Sequence, residues 1–209
     1  MSTYINGLFI GELTPNVTVG GCISIYEKAL PNPDEVIFAI EQECVNPDSV
    51  VKFVKAETVG FGIEQTHRTN YSLDITHAAK SNNQVCQDIN NQMYTTLLAT
   101  TSTYLKNMRI NEITYHENYQ MLKYSDKTEY KVHYDGTTAS GRSISAIAYL
   151  NDDYKGGEIE FPNFNVKIKP ETGMVILFPS NYAYAHIAHP VTSGTKYAIV
   201  TWIHDRVIQ

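Results

Sequence analysis

Residues 119–124 (YQMLKY), 130–135 (YKVHYD), 143–150 (SISAIAYL), 158–162 (EIEFP), 165–169 (NVKIK), 173–179 (GMVILFP) and 196–203 (KYAIVTWI) are short β-prone runs. Each is rich in β-branched or aromatic residues, and Gly, Asn, Asp or Pro punctuates the stretches between them. Seven such runs with no helical pattern between them predict an antiparallel sandwich or barrel of the jelly-roll kind. Three earlier runs, 5–10 (INGLFI), 22–26 (CISIY) and 50–54 (VVKFV), are expected to extend its sheets.

The remainder of the N-terminal half carries helical signals. Asn32-Pro33-Asp34-Glu35 reads as an N-cap, a first-turn proline and two acids facing the helix dipole, which predicts a helix from Pro33 to Cys44. Between Ser81 and Met108 there is no Gly or Pro, and Val85, Ile89, Met93 and Leu97 recur every fourth residue. That stretch is expected to be the longest helix, lying against a sheet. The polar segments Gln65–Lys80 and Gly136–Gly141 are expected to be mobile loops that shape a substrate entrance. With no repeat, linker or low-complexity tract, residues 1–209 are expected to form one domain. Within it, 1–115 would be a helical and β buttress and 116–205 the β core that carries the site.

The chain has 209 residues, of which 43% are hydrophobic, enough to fill one sizeable core. Its formal charge of -6 comes from interspersed acids and bases and offers no footprint for nucleic acid or an anionic membrane. Three widely spaced cysteines, Cys22, Cys44 and Cys86, lack any CxxC pairing, so buried reduced thiols are expected rather than disulfides or a zinc knuckle. No basic segment precedes the apolar stretch near the N-terminus, and no window reaches the ~20 apolar residues of a membrane span. These features predict a soluble, cytoplasmic or otherwise intracellular protein, monomeric or homodimeric.

His133 and Asp135 are two apart in a run of strand formers, so their side chains share a face and can bind one ion. Alone, His-x-Asp is common by chance. His186 follows the apolar run 173–179 and precedes Pro190 and Ser193-Gly194, which reverse the chain before Lys196. Ten residues of continuous strand would separate His186 and Lys196 by ~33 Å, whereas a turn lets adjacent strands present both to one pocket. His189 is a rival third ligand on these grounds. Two imidazoles and a carboxylate on one face of an octahedral metal are the ligand set of non-haem Fe(II) oxygenases.

The string Tyr124-x-x-Lys127-x-x-Tyr130-x-x-His133-x-Asp135 resembles the Tyr-x-x-Gly-x-x-Tyr-x-x-His-x-Asp segment of the prolyl 4-hydroxylase branch of the Fe(II)/2-oxoglutarate dioxygenases. Arg142, the segment Gly156–Pro162 and the Lys169-Pro170 to Gly173 turn continue the resemblance. So does His186-x-x-x-Pro190-Val191-x-x-Gly194-x-Lys196, with Trp202 and His204 beyond it. In the N-terminal half the segment around Arg68 resembles the family's Arg-Thr-Ser more faintly.

The resemblance implies a mainly β fold with flanking helices, its core a double-stranded β-helix (jelly-roll, cupin-like). It implies Fe(II) held by His133, Asp135 and His186, and it selects His186 over His189. Lys196 and Tyr124 would bind the cosubstrate 2-oxoglutarate, with Trp202 bordering it. Tyr130, Arg142 and His204 would act on the substrate side. Thr201 or Ser145 would supply a hydroxyl beside Lys196. Dioxygen is the further cosubstrate, ascorbate a further cofactor, and succinate and carbon dioxide the coproducts. The implied partner is a peptide or protein containing proline; the same chemistry on a small molecule or nucleic acid, and a non-catalytic metal-binding jelly roll, are the alternatives. One position departs from the pattern: Lys127 stands where the family has glycine.

Overall fold

The computed structural model describes residues 3–5, 8–10, 13–56, 67–110, 115–137 and 140–205. A large antiparallel sheet runs in the order Val17–Val19, Ile23–Tyr26, Val175–Pro179, Arg142–Tyr149, Thr195–His204, Gln120–Ser125, Tyr71–Asp74 and Val54–Lys55. Tyr115–His116 pairs with the end of the central strand. A smaller sheet, Val166–Ile168, Ile159–Phe161, His186–Ala188 and Tyr130–His133, forms the second wall. This is the jelly-roll sandwich that the β-prone runs predict.

The central strand 195–204 explains the layering. Ala198 and Val200 point to the interior between the sheets, while Tyr197, Ile199 and Ile203 point to the opposite face. On that outer face lie α1 (Pro33–Val45) and α3 (Gln84–Met108). Ile40, Ile89, Met93, Leu97 and Tyr104 pack there against Met121, Ile144, Leu177 and Ile199. A strand covered on both faces tolerates an almost unbroken apolar run, which is what residues 197–203 are. On the inner side Ile159 and Phe161 of the small sheet pack against Ile176 and Phe178 of the large one.

Several local expectations change. Asn32 does not cap α1: it adopts a left-handed conformation (φ 45°) with no side-chain bond, so Pro33, Asp34 and Glu35 carry the start. α3 begins at Gln84 rather than Ser81, because Asn83 caps it by accepting from the Cys86 N–H. Residues 71–80 are not a loop. Tyr71–Asp74 is a strand on Gln120–Lys123, and α2 (Ile75–Lys80) follows, capped by Asp74 accepting from the His77 N–H; residues 65–66 lie outside the described residues. Of the three early runs, 22–26 pairs on Val175–Leu177 as predicted. Only Val54 of run 50–54 enters a strand. Run 5–10 contributes to two strands, Thr3–Ile5 and Leu8–Ile10, that pair with each other and not with the large sheet. All three cysteines are free, but only Cys86 is buried. No helix among the described residues is long and apolar enough to cross a membrane.

Lys127 occupies the tight turn between Gln120–Ser125 and Tyr130–His133. Both Asp126 (φ 47°) and Lys127 (φ 64°) are left-handed, and the Thr128 N–H closes the turn on the Ser125 carbonyl at 3.0 Å. The backbone thus keeps the geometry glycine favours although a Cβ is present. Lys127→Gly is expected to stabilise the protein by roughly 1 kcal/mol by relieving the left-handed penalty. Urea unfolding of the two proteins measures it.

Candidate functional site

His133 and His186 are direct cross-strand partners in the small sheet, with ring centroids 4.2 Å apart. Asp135 lies just past the end of the first strand. Its Oδ1 is 3.7 Å from His133 Nε2, and its Oδ2 is 3.8 Å from His186 Nε2. The three ligand atoms lie within 4.8 Å of one another, and among the described residues no other such cluster of His, Cys, Asp or Glu occurs.

Backbone carbonyls set the imidazoles for coordination. His133 Nδ1 is 2.7 Å from the Lys131 carbonyl, and His186 Nδ1 is 3.1 Å from the Tyr184 carbonyl. A carbonyl can only accept, so each Nδ1 carries the proton and each Nε2 offers a lone pair toward Asp135. Burial, reinforced by His186, holds His133 far below the usual histidine range and therefore neutral. Burial disfavours the Asp135 charge, but His186, His133, Ser145 and Trp202 together keep its carboxyl below the usual value. Two imidazoles and a carboxylate converging on one point are a donor set that fits a divalent cation such as Fe(II).

His189, the rival ligand, is turned away: its Nε2 meets Glu160 Oε2 at 2.6 Å. Burial separates the two histidines as well, since His186 is 4% exposed.

A cavity of about 450 Å³ lies between the sheets, lined by the triad and by Tyr124, Tyr130 and Lys196 among others. Lys196 and Tyr124 are cross-strand neighbours in the large sheet. Lys196 is 2% exposed, and its Nζ donates to the Gly157 carbonyl at 2.6 Å. Burial pulls its pKa down to about 7. Gly157 has φ +71°, and a Cβ there would come within 2.8 Å of Tyr154 and 3.2 Å of the Lys196 side chain. Only glycine brings that carbonyl to the ammonium group. Tyr124 is pushed up to about 12, first by burial, and so keeps its phenolic proton. The chemistry available here is an ammonium ion and a phenol facing a closed space, which suits a carboxylate.

The remaining predicted residues separate. Tyr130 lines the cavity and stacks on His133, centroids 3.4 Å apart, with the Arg68 guanidinium on the ring at 4.8 Å. Arg142 and Trp202 also line it, the guanidinium lying 3.6 Å from the indole centroid. Trp202 pairs with Ser145 and influences Asp135, so it stands at the metal end and six residues along the strand from Lys196. Arg142 makes a two-pronged ion pair with Glu117 at 2.6 and 2.7 Å. His204 is not a cavity-lining residue: it is buried, stacks on Tyr115 and shares Glu117 at 2.9 Å. Neither hydroxyl expected beside Lys196 is bonded there, because Ser145 bonds Asp135 and Thr201 donates to the Glu117 carbonyl. Glu117, which joins Arg142 to His204, carries no motif and is invisible until the strands are placed.

The jelly roll brings two histidines of its small sheet together with Asp135, a ligand set that fits a divalent metal. Residues 119–204 match the family model of the 2OG-Fe(II) oxygenase superfamily. Within it the likeness is to prolyl hydroxylases. Prolyl 4-hydroxylase 13 of Arabidopsis thaliana is 29% identical over 121 residues, 44% of this chain and 44% of that protein. A Trichoplax adhaerens prolyl hydroxylase, solved with a hypoxia inducible factor oxygen degradation domain peptide fragment, shares the fold with a TM-score of 0.74. It is 20% identical, and the match covers 89% of this chain and 84% of that one. A viral collagen prolyl hydroxylase from Paramecium Bursaria Chlorella virus-1, solved as its 2OG complex, follows at 0.57 and 20% identity, over 88% of this chain and 96% of that one. The chain spans less than half the length of the curated relatives it matches.

Proposed function

We propose that this protein is an Fe(II)- and 2-oxoglutarate-dependent dioxygenase that hydroxylates a prolyl residue in a peptide or protein. The observation that carries the reading is the meeting, in one cavity, of the His133–Asp135–His186 cluster with buried Lys196 from the large sheet. His133 Nε2, His186 Nε2 and an Asp135 oxygen would hold the iron. Lys196 would pair with the distal carboxylate of 2-oxoglutarate, and Tyr124 would donate its phenolic hydrogen to the same molecule. The iron and 2-oxoglutarate, when bound, supply dioxygen activation, with succinate and carbon dioxide as coproducts of the hydroxylation.

The chain's own residues do the positioning. Tyr130, braced between Arg68 and His133, and Trp202, covered by Arg142, give the cavity two flat aromatic walls that suit a compact apolar ring. Glu117 neutralises Arg142, so that side chain offers its stacked face rather than a free charge. Names of relatives support the prolyl substrate, and three free thiols support a reducing compartment as the place of work.

Incubation of the protein with Fe(II), 2-oxoglutarate, ascorbate and a panel of proline-containing peptides is expected to add one oxygen to proline, read by fragment mass spectrometry. Succinate should form in step with it. Oxygen gained only on a free amino acid or a nucleotide would replace the prolyl substrate, and no succinate with any substrate would remove the enzyme.

A further inference from the structure

The three ligands of the candidate metal centre do not come from one rigid surface. His133 and His186 are paired in the small sheet. Asp135 has left that sheet and is anchored to the large one. The Gly136 N–H donates to the Ser180 carbonyl at 2.7 Å, and the Ser180 N–H donates to the Ser143 carbonyl at 2.9 Å. Gly136 permits this approach, since a Cβ there would come within 2.5 Å of the Arg142 carbonyl and 3.0 Å of Ser180.

The side chains make a second link along the same route. Ser145 Oγ donates to Asp135 Oδ2 at 2.6 Å and lies 2.8 Å from Ser180 Oγ. An ionised carboxylate only accepts, so the single hydroxyl hydrogen of Ser145 is committed to Asp135. The contact between the serines then has one direction, with Ser180 donating to Ser145. Both serines are 1% exposed, so water does not compete for these bonds.

We propose that Ser180 and Ser145 form a two-hydroxyl relay that fixes the rotation of the Asp135 carboxylate and presents it, from the large sheet, to the two histidines of the small sheet. Ser145, which lines the cavity, and Ser180 behind it are positioning residues that act through Asp135. The proposal rests on the reading of His133, Asp135 and His186 as the metal centre. Its consequence is that metal affinity depends on two serines that are not themselves ligands, and that a bound metal fastens the two sheets together.

Co(II) titration of metal-stripped protein, without 2-oxoglutarate and followed by visible d–d absorption, tests it. Ser145→Ala should raise the Co(II) Kd by roughly 10- to 100-fold, the range for losing a hydrogen bond behind a metal ligand. Ser180→Ala should raise it less, because Ser145 keeps its bond to Asp135 but loses its own support. Ser145→Thr retains the hydroxyl and should bind close to wild type. Circular dichroism of the metal-free variants, unchanged in shape, separates positioning from a general loss of the fold. Wild-type affinity in Ser145→Ala overturns the relay, as does an equal loss in Ser145→Thr. Should Ser145→Ala fail to fold, unchanged affinity in Ser180→Ala overturns it. Undiminished Co(II) binding by His186→Ala is a different result: it removes the metal-centre reading itself.

Discussion

Asp135→Ala is expected to abolish both metal retention and succinate formation while the protein still folds. The carboxylate sits between two imidazole nitrogens at 3.7 and 3.8 Å, and both imidazoles present lone pairs rather than protons to it. In the metal-free protein this is a buried carboxylate beside two imidazole nitrogens, supported on one side by Ser145. A divalent cation placed among these groups can take a bond from each of the three. A ligand that binds only the folded state at 100 times its Kd stabilises it by about 2.7 kcal/mol. Wild type should therefore show a rise in melting temperature with Co(II), and Asp135→Ala should show none at the same concentration. An equal rise in the variant would place the metal elsewhere.

Lys196→Met is expected to have opposite effects on ligand affinity and on stability. Burial holds the Lys196 ammonium near pKa 7, against an ordinary value of 10.5, and its hydrogen bond is to a neutral carbonyl rather than a carboxylate. Below pH 7 the lysine is charged in both folded and unfolded chains, and the folded one bears the desolvation. Between about 7 and 10.5 the unfolded chain binds the extra proton, so the metal-free protein should gain stability as pH rises through that window. 2-Oxoglutarate reverses the sign locally. Its carboxylate favours the ammonium form, so binding above pH 7 must take up a proton, and affinity should fall by up to about tenfold per pH unit. Calorimetry at pH 8 in buffers of different ionisation enthalpy reads that uptake directly. Methionine removes the buried charge, so Lys196→Met should melt higher than wild type without ligand and bind 2-oxoglutarate far more weakly. Proton-neutral binding, or a variant that keeps wild-type affinity, would remove Lys196 from the cosubstrate site.

The β core was legible because its physical signal is local. Residues 196–203 and 173–179 are apolar runs too short for helices and bounded by turn residues, and they become the two strands that flank Arg142–Tyr149. α3 was legible from its four-residue period. α2 was not, since six residues carry too few apolar positions to show a period, although Asp74 before Ile75 is a cap signal in plain sight. The order of strands is not local: nothing in residues 195–204 announces that they lie between Arg142–Tyr149 and Gln120–Ser125.

The same division holds at the site. His133 and Asp135 were legible from their spacing, although the strand ends at His133 and Asp135 reaches the site from beyond it. His186 and His189 were told apart in sequence only by the family spacing, and the fold sets one opposite His133 and the other on Glu160. Lys196 became legible through a family spacing rather than through its own chemistry. Ser145, Ser180 and Glu117 are ordinary polar residues in sequence and acquire roles only through partners 10 to 87 positions away. Lys127 shows the converse. Its substitution for glycine was legible, but the left-handed conformation of Asp126 and Lys127 was not.

The most direct test of the metal and cosubstrate site is visible spectroscopy under strict exclusion of oxygen. Addition of Fe(II) and 2-oxoglutarate to the wild-type protein should produce a weak metal-to-ligand charge-transfer band, and the same additions to His186→Ala should produce none. No band in wild type, or an undiminished band in His186→Ala, would contradict the assignment.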